Sequence, residues 1–484
     1  MSDFDSPEFA SPSRFAVLKS YLSAGKIKAI FTKSHANRGL ERYRRAGITA
    51  SSSFIAKALN ILISFLSVPL TVHYLGAERY GVWLTISSLL TWIAMTDFGL
   101  AGNALVNVLA DADGRDDRVA AQQYTASAFW ALSGISVISG IVSVIAFPYI
   151  PWRAVFRVSA ATSTHELQTA CALTLLLFVL AFPLSVQFSI YSAYQDGFLA
   201  NVWSIAGNGL SLLALVVVSQ TRGGLPQLVL ALSGTRSVVA VANVFFLFRR
   251  YHWIAPKPSA VRWHCVKRLF SLGSKYLLTQ LASLGVYQSQ PIIITQLLGP
   301  AKVVIFVVAY KILALPMDLV FMATQPFVSA FGEAKARKDW HWIRGAYKNA
   351  VKASLVVGLP LAVIIGISAK PIIRIWAGSV AVPSWSLILW LSIYSLIGIV
   401  LMAAGQMMVG LECVNPLAVS VTLCALGVIG SAIALAPHWG LTGIAFGMAI
   451  SKLVTFWPIQ VREVNRILRA ARATSMEQVA NPAV

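Results

Sequence analysis

The segment TASSSFIAKALNILISFLSVPLTVHY (49–74) is apolar enough and long enough to cross a membrane as a single helix. Its only charged residue is Lys57. Its polar residues recur at spacings of three and four, which places them on one face of a helix: Lys57, Asn60, Ser64, Ser67 and Thr71. The segment therefore predicts a transmembrane helix with one polar, positively charged stripe.

Similar apolar segments follow along most of the chain. Hydrophobic residues make up 57% of the 484 positions and charged residues only 12%, about half the charged share of a soluble domain. About twelve segments reach the length of a membrane span: 49–74, 80–109, 122–147, 168–190, 198–218, 226–248, 271–297, 303–331, 350–368, 385–407, 416–436 and 440–461. The strands of a membrane barrel would be shorter and would alternate in polarity. The sequence predicts an all-α polytopic membrane protein with about twelve transmembrane helices.

The basic residues are unevenly divided between the two sides of the predicted helices. The side that carries both termini has 26 lysines and arginines, and the opposite side has seven. The positive-inside rule then places both termini in the cytoplasm. The net charge of +21 is thereby explained as a topology signal that also attracts anionic lipid headgroups, so no nucleic-acid partner is expected.

The two halves of the chain resemble each other. A shift of 223 residues aligns Gly76 with Gly299, Arg115 with Lys338, Asp116 with Asp339 and Tyr124 with Tyr347. Two parallel six-helix lobes are expected, because repeats with an even number of spans share one orientation. The predicted boundaries are a basic extension (1–47), an N-lobe (48–250), a basic cytoplasmic loop (251–270), a C-lobe (271–470) and a tail (471–484).

Several basic residues lie inside the predicted spans, where a charge costs roughly 2.5–3.5 kcal/mol on insertion scales. Five of them are candidate ligands of an anion in a central cavity: Arg236, Lys57, Lys275, Lys311 and Lys452. Snorkelling to the interface is the alternative for Lys57, Lys275 and Lys452. The alternative for Lys311 is an ion pair with Asp318, seven residues further on.

Uncharged polar residues on the same helices are candidates to line the cavity: Asn60, Ser64, Gln280 and Tyr287. The similar stripe in the fifth span is expected instead to join helices to one another: Asn201, Ser204, Asn208 and Ser211. Asp97 and Asp318 are the deeply placed acids, and either could form an ion pair or carry a coupling proton. Five cations against two acids favour a phosphate-bearing ligand, which arginine can hold with two parallel hydrogen bonds.

No catalytic function is indicated. The sequence contains no phosphate-binding G-x-x-x-x-G-K-[ST] loop, no G-x-G-x-x-G after a strand and no H-E-x-x-H. The four cysteines have neither the spacing of metal ligands nor that of a disulfide framework. We therefore expect a transport protein with no metal and no cofactor.

The run PLTVHYLGAERYGVWLTISSLL (69–90), followed by TDFGLAGNALVN (96–107), resembles the start of Wzx-type polysaccharide flippases. These belong to the multidrug/oligosaccharidyl-lipid/polysaccharide (MOP) exporter superfamily. The most characteristic residues are Leu75-Gly76, Tyr80-Gly81 with Trp83, and Asp97-Phe98-Gly99, and QLLGPAKVVIFVVAYKI (296–312) looks like the degenerate second repeat.

The resemblance covers roughly residues 48–470 and implies a flippase for undecaprenyl-pyrophosphate-linked oligosaccharide in the bacterial inner membrane. It further implies alternating access between two lobes and a monomer that works beside polysaccharide polymerase and chain-length proteins. The cationic residues above come from the spans themselves and are not carried over from the family.

Three other classes of membrane protein share features with this sequence. NVLADADGRDD (107–117) matches part of a major facilitator loop motif, but Asn107 stands where that motif has glycine. A multidrug exporter of the MOP superfamily is disfavoured because the first span contains no acid. A membrane-embedded glycosyltransferase would need a large external loop, and the longest predicted one is 148–167.

Overall fold

The computed structural model describes the backbone of residues 38–94, 99–159, 162–221, 223–337 and 339–480. Side chains are described in these ranges apart from 38–51, 101, 103, 275, 276, 278, 279, 329, 336, 414 and 470–480. Asp97 and the basic extension before residue 38 therefore lie outside the described residues. The described chain is helical throughout and contains no strand, as the apolar spans predict.

Seventeen α-helices are found in the described ranges. In chain order they are α1 (Arg38–Ile93), α2 (Leu105–Gly114), α3 (Arg118–Ala146), α4 (Trp152–Phe156), α5 (Thr164–Leu184), α6 (Val186–Ala193), α7 (Gly197–Ser219), α8 (Leu225–Val229), α9 (Thr235–Arg250), α10 (Trp263–Tyr287), α11 (Gln290–Leu298), α12 (Pro300–Thr324), α13 (Phe327–Ala336), α14 (Trp340–Ala353), α15 (Leu359–Ala377), α16 (Trp385–Gly410) and α17 (Val414–Ala480). π-Helical turns join α8 to α9 and α14 to α15 without a break.

Nine helices within the described ranges are long and apolar enough to cross a membrane. Two of them, Ser52–Ile93 and Asn415–Arg469, are longer than one crossing requires and contain a glycine with non-helical torsions. These glycines are Gly76 (φ 75°, ψ 171°) and Gly440 (φ 57°, ψ −140°). The pair α10–α11 occupies the predicted seventh segment and is not among the nine.

The chain reverses direction at Gly440. A β-carbon on Gly443 would lie 2.7 Å from Leu435 O, and one on Gly447 would lie 2.1 Å from Ser431 Oγ. One on Gly427 would lie 2.7 Å from Ser451 Oγ. In each of the three pairs the two residues lie equally far before and after residue 439, so the two legs of α17 run antiparallel. Glycine at each contact lets the legs approach closely, which is how membrane helices commonly pack.

The predicted internal repeat appears in the backbone, with one shift in register. Gly299 (φ 89°, ψ 158°) repeats the conformation of Gly76. Asp117 caps α3 and Asp339 caps α14, and each carboxylate accepts a backbone N–H at 2.9 Å. The aligned partner of Asp339 is thus Asp117, and the sequence alignment with Asp116 was wrong by one residue. Asp116 instead adopts a left-handed conformation (φ 53°) at the turn before the cap.

The two halves pack together along α1. The largest buried apolar cluster combines α1 residues such as Val72 and Trp83 with second-half residues such as Val304 and Tyr394. Gly81 lies directly against the backbone of Pro300, since a β-carbon there would be 1.8 Å from Pro300 O. In addition, α10 begins at Trp263, inside the predicted loop 251–270, because the buried side chains of Cys265 and Leu269 pack in a first-half core.

Candidate functional site

Arg236 lines a cavity inside the first half of the chain. It lies in the first turn of α9, and the cavity of about 240 Å³ is walled by α6, α7 and α9. The polar lining residues include Gln187, Ser204, Asn208 and Asn243, and no carboxylate occurs among the described residues of the lining. The Asn243 amide oxygen accepts a hydrogen bond of 2.8 Å from Tyr191. The site therefore offers one guanidinium surrounded by neutral amides and hydroxyls.

The stripe of α1 is bonded to the wall of this cavity. Asn60 Nδ2 donates to Ser204 Oγ at 3.2 Å, and Asn208 Nδ2 donates to Asn60 Oδ1 at 2.9 Å. The expected joining role of the α7 stripe is thus observed. Asn201 extends the polar contact between α7 and α1 by donating to Ser52 and Ser53. Ser211 donates to Leu232 O at 3.1 Å. Asn60 consequently joins helices and is not a free lining group.

Two lysines bridge the two halves of the chain. Lys57 Nζ on α1 donates to Gln325 Oε1 at 2.8 Å, just beyond α12, and lies 5.0 Å from the Phe321 ring. Lys311 Nζ on α12 donates to Ser64 O at 3.2 Å and also contacts Ser64 Oγ. Both ammonium groups are half-buried and bonded only to neutral oxygens. They place two positive charges at the seam between α1 and α12.

Asp318 does not pair with Lys311. Its side chain is exposed, and no ion pair within 4 Å involves it among the described side chains. The seven-residue spacing predicted a shared face, but Lys311 turns to α1 because the Ser64 oxygens lie within its reach.

Lys452 lies elsewhere and is only 6% exposed. Its Nζ sits 4.1 Å from the Tyr394 ring centroid and 3.6 Å from Met317 Sδ. A β-carbon on Gly398 would lie 2.6 Å from this Nζ, so the glycine leaves room for the ammonium. Lys452 is therefore enclosed by aromatic and thioether neighbours within the second half, and its role as an anion ligand stays a prediction.

The candidates on α10 are only partly described. Lys275 lies on this helix, but its side chain is outside the described residues, as is Asp97 altogether. Gln280 is half-buried. Tyr287 is 49% exposed and lines a second cavity of about 320 Å³ together with Gln290 and Tyr310. No group of three or more potential metal-ligating side chains occurs among the described residues.

The structure thus joins Asn60 to the wall of the Arg236 cavity, places Lys57 and Lys311 at the seam between α1 and α12, and leaves Lys452 apart from this polar region. Sequence reasoning missed three amides of that region: Gln187, Asn243 and Gln325. Gln187 and Asn243 are isolated amides in otherwise apolar helices, which is a usable signal. No local pattern distinguishes Gln325, because its partner Lys57 is 268 residues away.

Comparison with known proteins gives one consistent picture. A family model described as "Polysaccharide biosynthesis protein" matches residues 114–385. A Salmonella typhi protein named for O-antigen transport is 23% identical over 438 residues, covering 89% of this chain and 99% of that protein. A Yersinia pseudotuberculosis protein named for O-antigen export is 33% identical over 103 residues, covering 21% of this chain and 23% of that protein.

Among solved structures, an inward-facing multidrug transporter of the MATE family of the MOP superfamily superposes with a TM-score of 0.71 at 18% identity. The match covers 86% of this chain and 96% of that one. The lipid II flippase MurJ in an inward closed conformation superposes with a TM-score of 0.64 at 14% identity, covering 89% and 91%. The fold is therefore that of the MOP transporters.

Proposed function

This chain belongs to the polysaccharide biosynthesis protein family, and on that premise we propose that it flips undecaprenyl-pyrophosphate-linked oligosaccharide across the bacterial inner membrane. The observation that carries the proposal is Arg236, a cation in a cavity whose described lining residues include amides and hydroxyls but no acid. A cationic drug would be repelled at such a site, whereas a pyrophosphate would be attracted. The role is that of a transporter and not of an enzyme.

Arg236 is suited to the phosphate part of this substrate. A guanidinium forms two parallel hydrogen bonds with phosphate oxygens, and such charge-assisted bonds are stronger than those between neutral groups. Ser204, Asn208 and Asn243 stand in the same lining and can bond to sugar hydroxyls. An unpaired arginine in a membrane span is costly, so its retention is accounted for by a ligand that offsets its charge.

The bridging lysines give a physical basis for alternating access. We infer twelve crossings in two six-helix lobes with both termini in the cytoplasm. The break in α1 at Gly76, the reversal at Gly440 and the extra pair α10–α11 would raise the nine apolar helices to that number. Lys57 and Lys311 hold α1 to α12 through neutral oxygens that an anionic ligand outcompetes. Phosphate arriving at this seam would loosen the contact between the lobes.

Lys275 and Lys452 complete the proposed set of cations. Lys452 is enclosed within the second half, so we propose that a ligand reaches it when the C-lobe opens. Asp97 and Asp318 are the proposed ion-pairing or proton-coupling acids. The protein is proposed to act as a monomer among membrane lipids, receiving its substrate before polymerase and chain-length proteins use it.

The test is complementation of a strain that lacks its own O-antigen or exopolysaccharide flippase, with surface glycan read on a gel. Wild-type protein should restore glycan, and Arg236→Ala should abolish it at an unchanged protein level in the membrane. Arg249→Ala is the matched control, because Arg249 lies on the same helix, is exposed and packs on Phe245 at 4.2 Å. Normal glycan from Arg236→Ala would reject the assignment.

A drug-efflux assay on the same strains addresses the alternative of a secondary multidrug transporter. Efflux that requires Arg236, without restored glycan, would place the chain in the multidrug branch. The major facilitator alternative predicts a different fold from the one found, so it is not retained.

A further inference from the structure

A large cavity lies at the opposite end of the helices from Gln195 and Glu412, two residues of positive φ at which the chain turns between α6 and α7 and between α16 and α17. Its volume is about 1010 Å³, several times that of the Arg236 cavity. Three segments wall it: the end of the first leg of α1 (69–74), the end of α7 with described residues that follow it (219–221 and 223) and the end of α15 with its following turn (375–380). Because α7 runs from Gly197 to Ser219, the cavity and the Gln195 turn lie at opposite ends of that helix.

The lining is polar but carries almost no charge. Among its described residues there is no acid, no lysine and no arginine, and His73 is the only basic group. Hydroxyls and an amide are supplied by Ser219, Gln220 and Thr221. The described lining therefore offers hydrogen-bonding groups with little charge, unlike the cavity that Arg236 lines.

An aromatic side chain forms part of the same wall. Trp376 is half-buried, its ring lies 4.9 Å from that of Phe65, and its indole N–H donates to Phe65 O at 2.9 Å. The ring is thus held in place by α1 and is already ordered before any ligand arrives. An ordered amphipathic ring beside hydroxyls and an amide suits a ligand with both C–H faces and hydroxyl groups.

Tyr74 contributes a hydroxyl with no partner. Its oxygen is buried and makes no hydrogen bond with any described residue. Gly223 leaves room for this hydroxyl because it has no side chain. A β-carbon on Gly223 would lie 2.6 Å from the Tyr74 oxygen. A buried polar atom left unsatisfied costs about 1–3 kcal/mol, so a hydroxylic ligand that bonds to it would gain more than an exposed contact gives.

We propose that this cavity is a saccharide-binding vestibule, which takes the uncharged sugar residues of the translocated glycan through Trp376, Gln220 and the Tyr74 hydroxyl. The inference rests on the proposed function, because only a glycan substrate brings such a ligand to the protein. On the proposed topology the vestibule faces the periplasm, where it would hold the sugars while the pyrophosphate remains near the cations.

The experiment is saturation-transfer NMR on the purified full-length protein in nanodiscs. The probe is the water-soluble repeat unit of the host's surface glycan, freed of lipid and phosphate. Wild-type protein should bind it, and Tyr74→Phe should bind about tenfold more weakly, as expected for one lost hydrogen bond to a buried group. Gln220→Ala should weaken binding similarly. Trp385→Phe is the control, since Trp385 is exposed nearby in sequence but outside the lining.

Tyr74→Phe also separates ligand binding from a structural role. Because the hydroxyl bonds to no described residue, its removal should leave the thermal midpoint unchanged or slightly higher. Equal binding by wild-type and both lining variants would overturn the inference, as would a probe displaced by short-chain phospholipid and not by free sugar. If wild-type protein complements the flippase-deficient strain but binds no saccharide, the vestibule is rejected and the flippase stands. If it does not complement, the proposed function itself fails.

Discussion

Gly76 and Gly299, 223 residues apart, adopt one unusual backbone conformation at equivalent positions of the two halves. Their torsions are φ 75°, ψ 171° and φ 89°, ψ 158°. This region of the backbone map is open essentially to glycine alone. Each glycine precedes a helical segment that packs across the seam between the halves. Its backbone conformation therefore sets the direction in which the chain enters the second span of its repeat.

Gly299→Ala should therefore destabilise the protein by about 1–3 kcal/mol through backbone strain alone. No atom lies within 4 Å of a β-carbon built there, so no steric clash is expected. Thermal unfolding in detergent would measure the effect. Gly430→Ala is the control, because Gly430 is helical with equally open space and should gain up to about 1 kcal/mol. Equal effects at both positions would disprove the assigned strain.

The hairpin about Gly440 provides a prediction of the opposite kind, in which crowding dominates. Gly447→Ala should destabilise the protein because the new β-carbon would lie 2.1 Å from Ser431 Oγ and 2.6 Å from Ser431 Cβ. Adding Ser431→Gly should recover most of the lost thermal stability, since both clashing atoms are removed. Additive losses in the double variant would show that the two legs do not meet at these residues.

The seam at Thr85 and Thr295 offers a test of alternating access. Their hydroxyls share a buried hydrogen bond between α1 and α11, so cysteines at both positions should lie within disulfide reach. If the halves must separate here, cross-linked Thr85→Cys/Thr295→Cys should lose glycan export and regain it on reduction.

The matched control is Ser386→Cys/Thr442→Cys. The hydroxyls of these residues are 3.0 Å apart, and both belong to the second half. That cross-link should form without affecting export. Full export by the cross-linked Thr85/Thr295 variant would mean that this part of the seam does not open during transport.

Lys452 is a buried cation with no carboxylate partner among the described residues, which should lower the stability of the protein. Lys452→Met keeps most of the side-chain volume and should raise the free energy of unfolding by about 1–4 kcal/mol. If the ammonium takes part in transport, the same variant should lose glycan export in the complementation assay. A more stable variant with unchanged export would remove Lys452 from the proposed set of cations.

The sequence by itself determined the class of this protein and most of its helices. Apolar segments of membrane length have no alternative to internally bonded helices, so the all-helical class followed from composition. The joining role of Asn201, Ser204, Asn208 and Ser211 also followed, because helical spacing alone puts them on one face. The Gly76–Gly299 repeat was visible because glycine is required wherever that backbone conformation recurs.

Only the tertiary structure decided which charges meet. Lys311 shares a helical face with Asp318, yet it bonds to Ser64, 247 residues away, because α1 packs on α12. Lys452 has the same sequence signature as Lys57, yet it is enclosed by Tyr394 and Met317. Helical spacing fixes the face on which a side chain lies, whereas its partner is set by the helix that packs on that face. That choice comes from long-range packing, which no local pattern encodes.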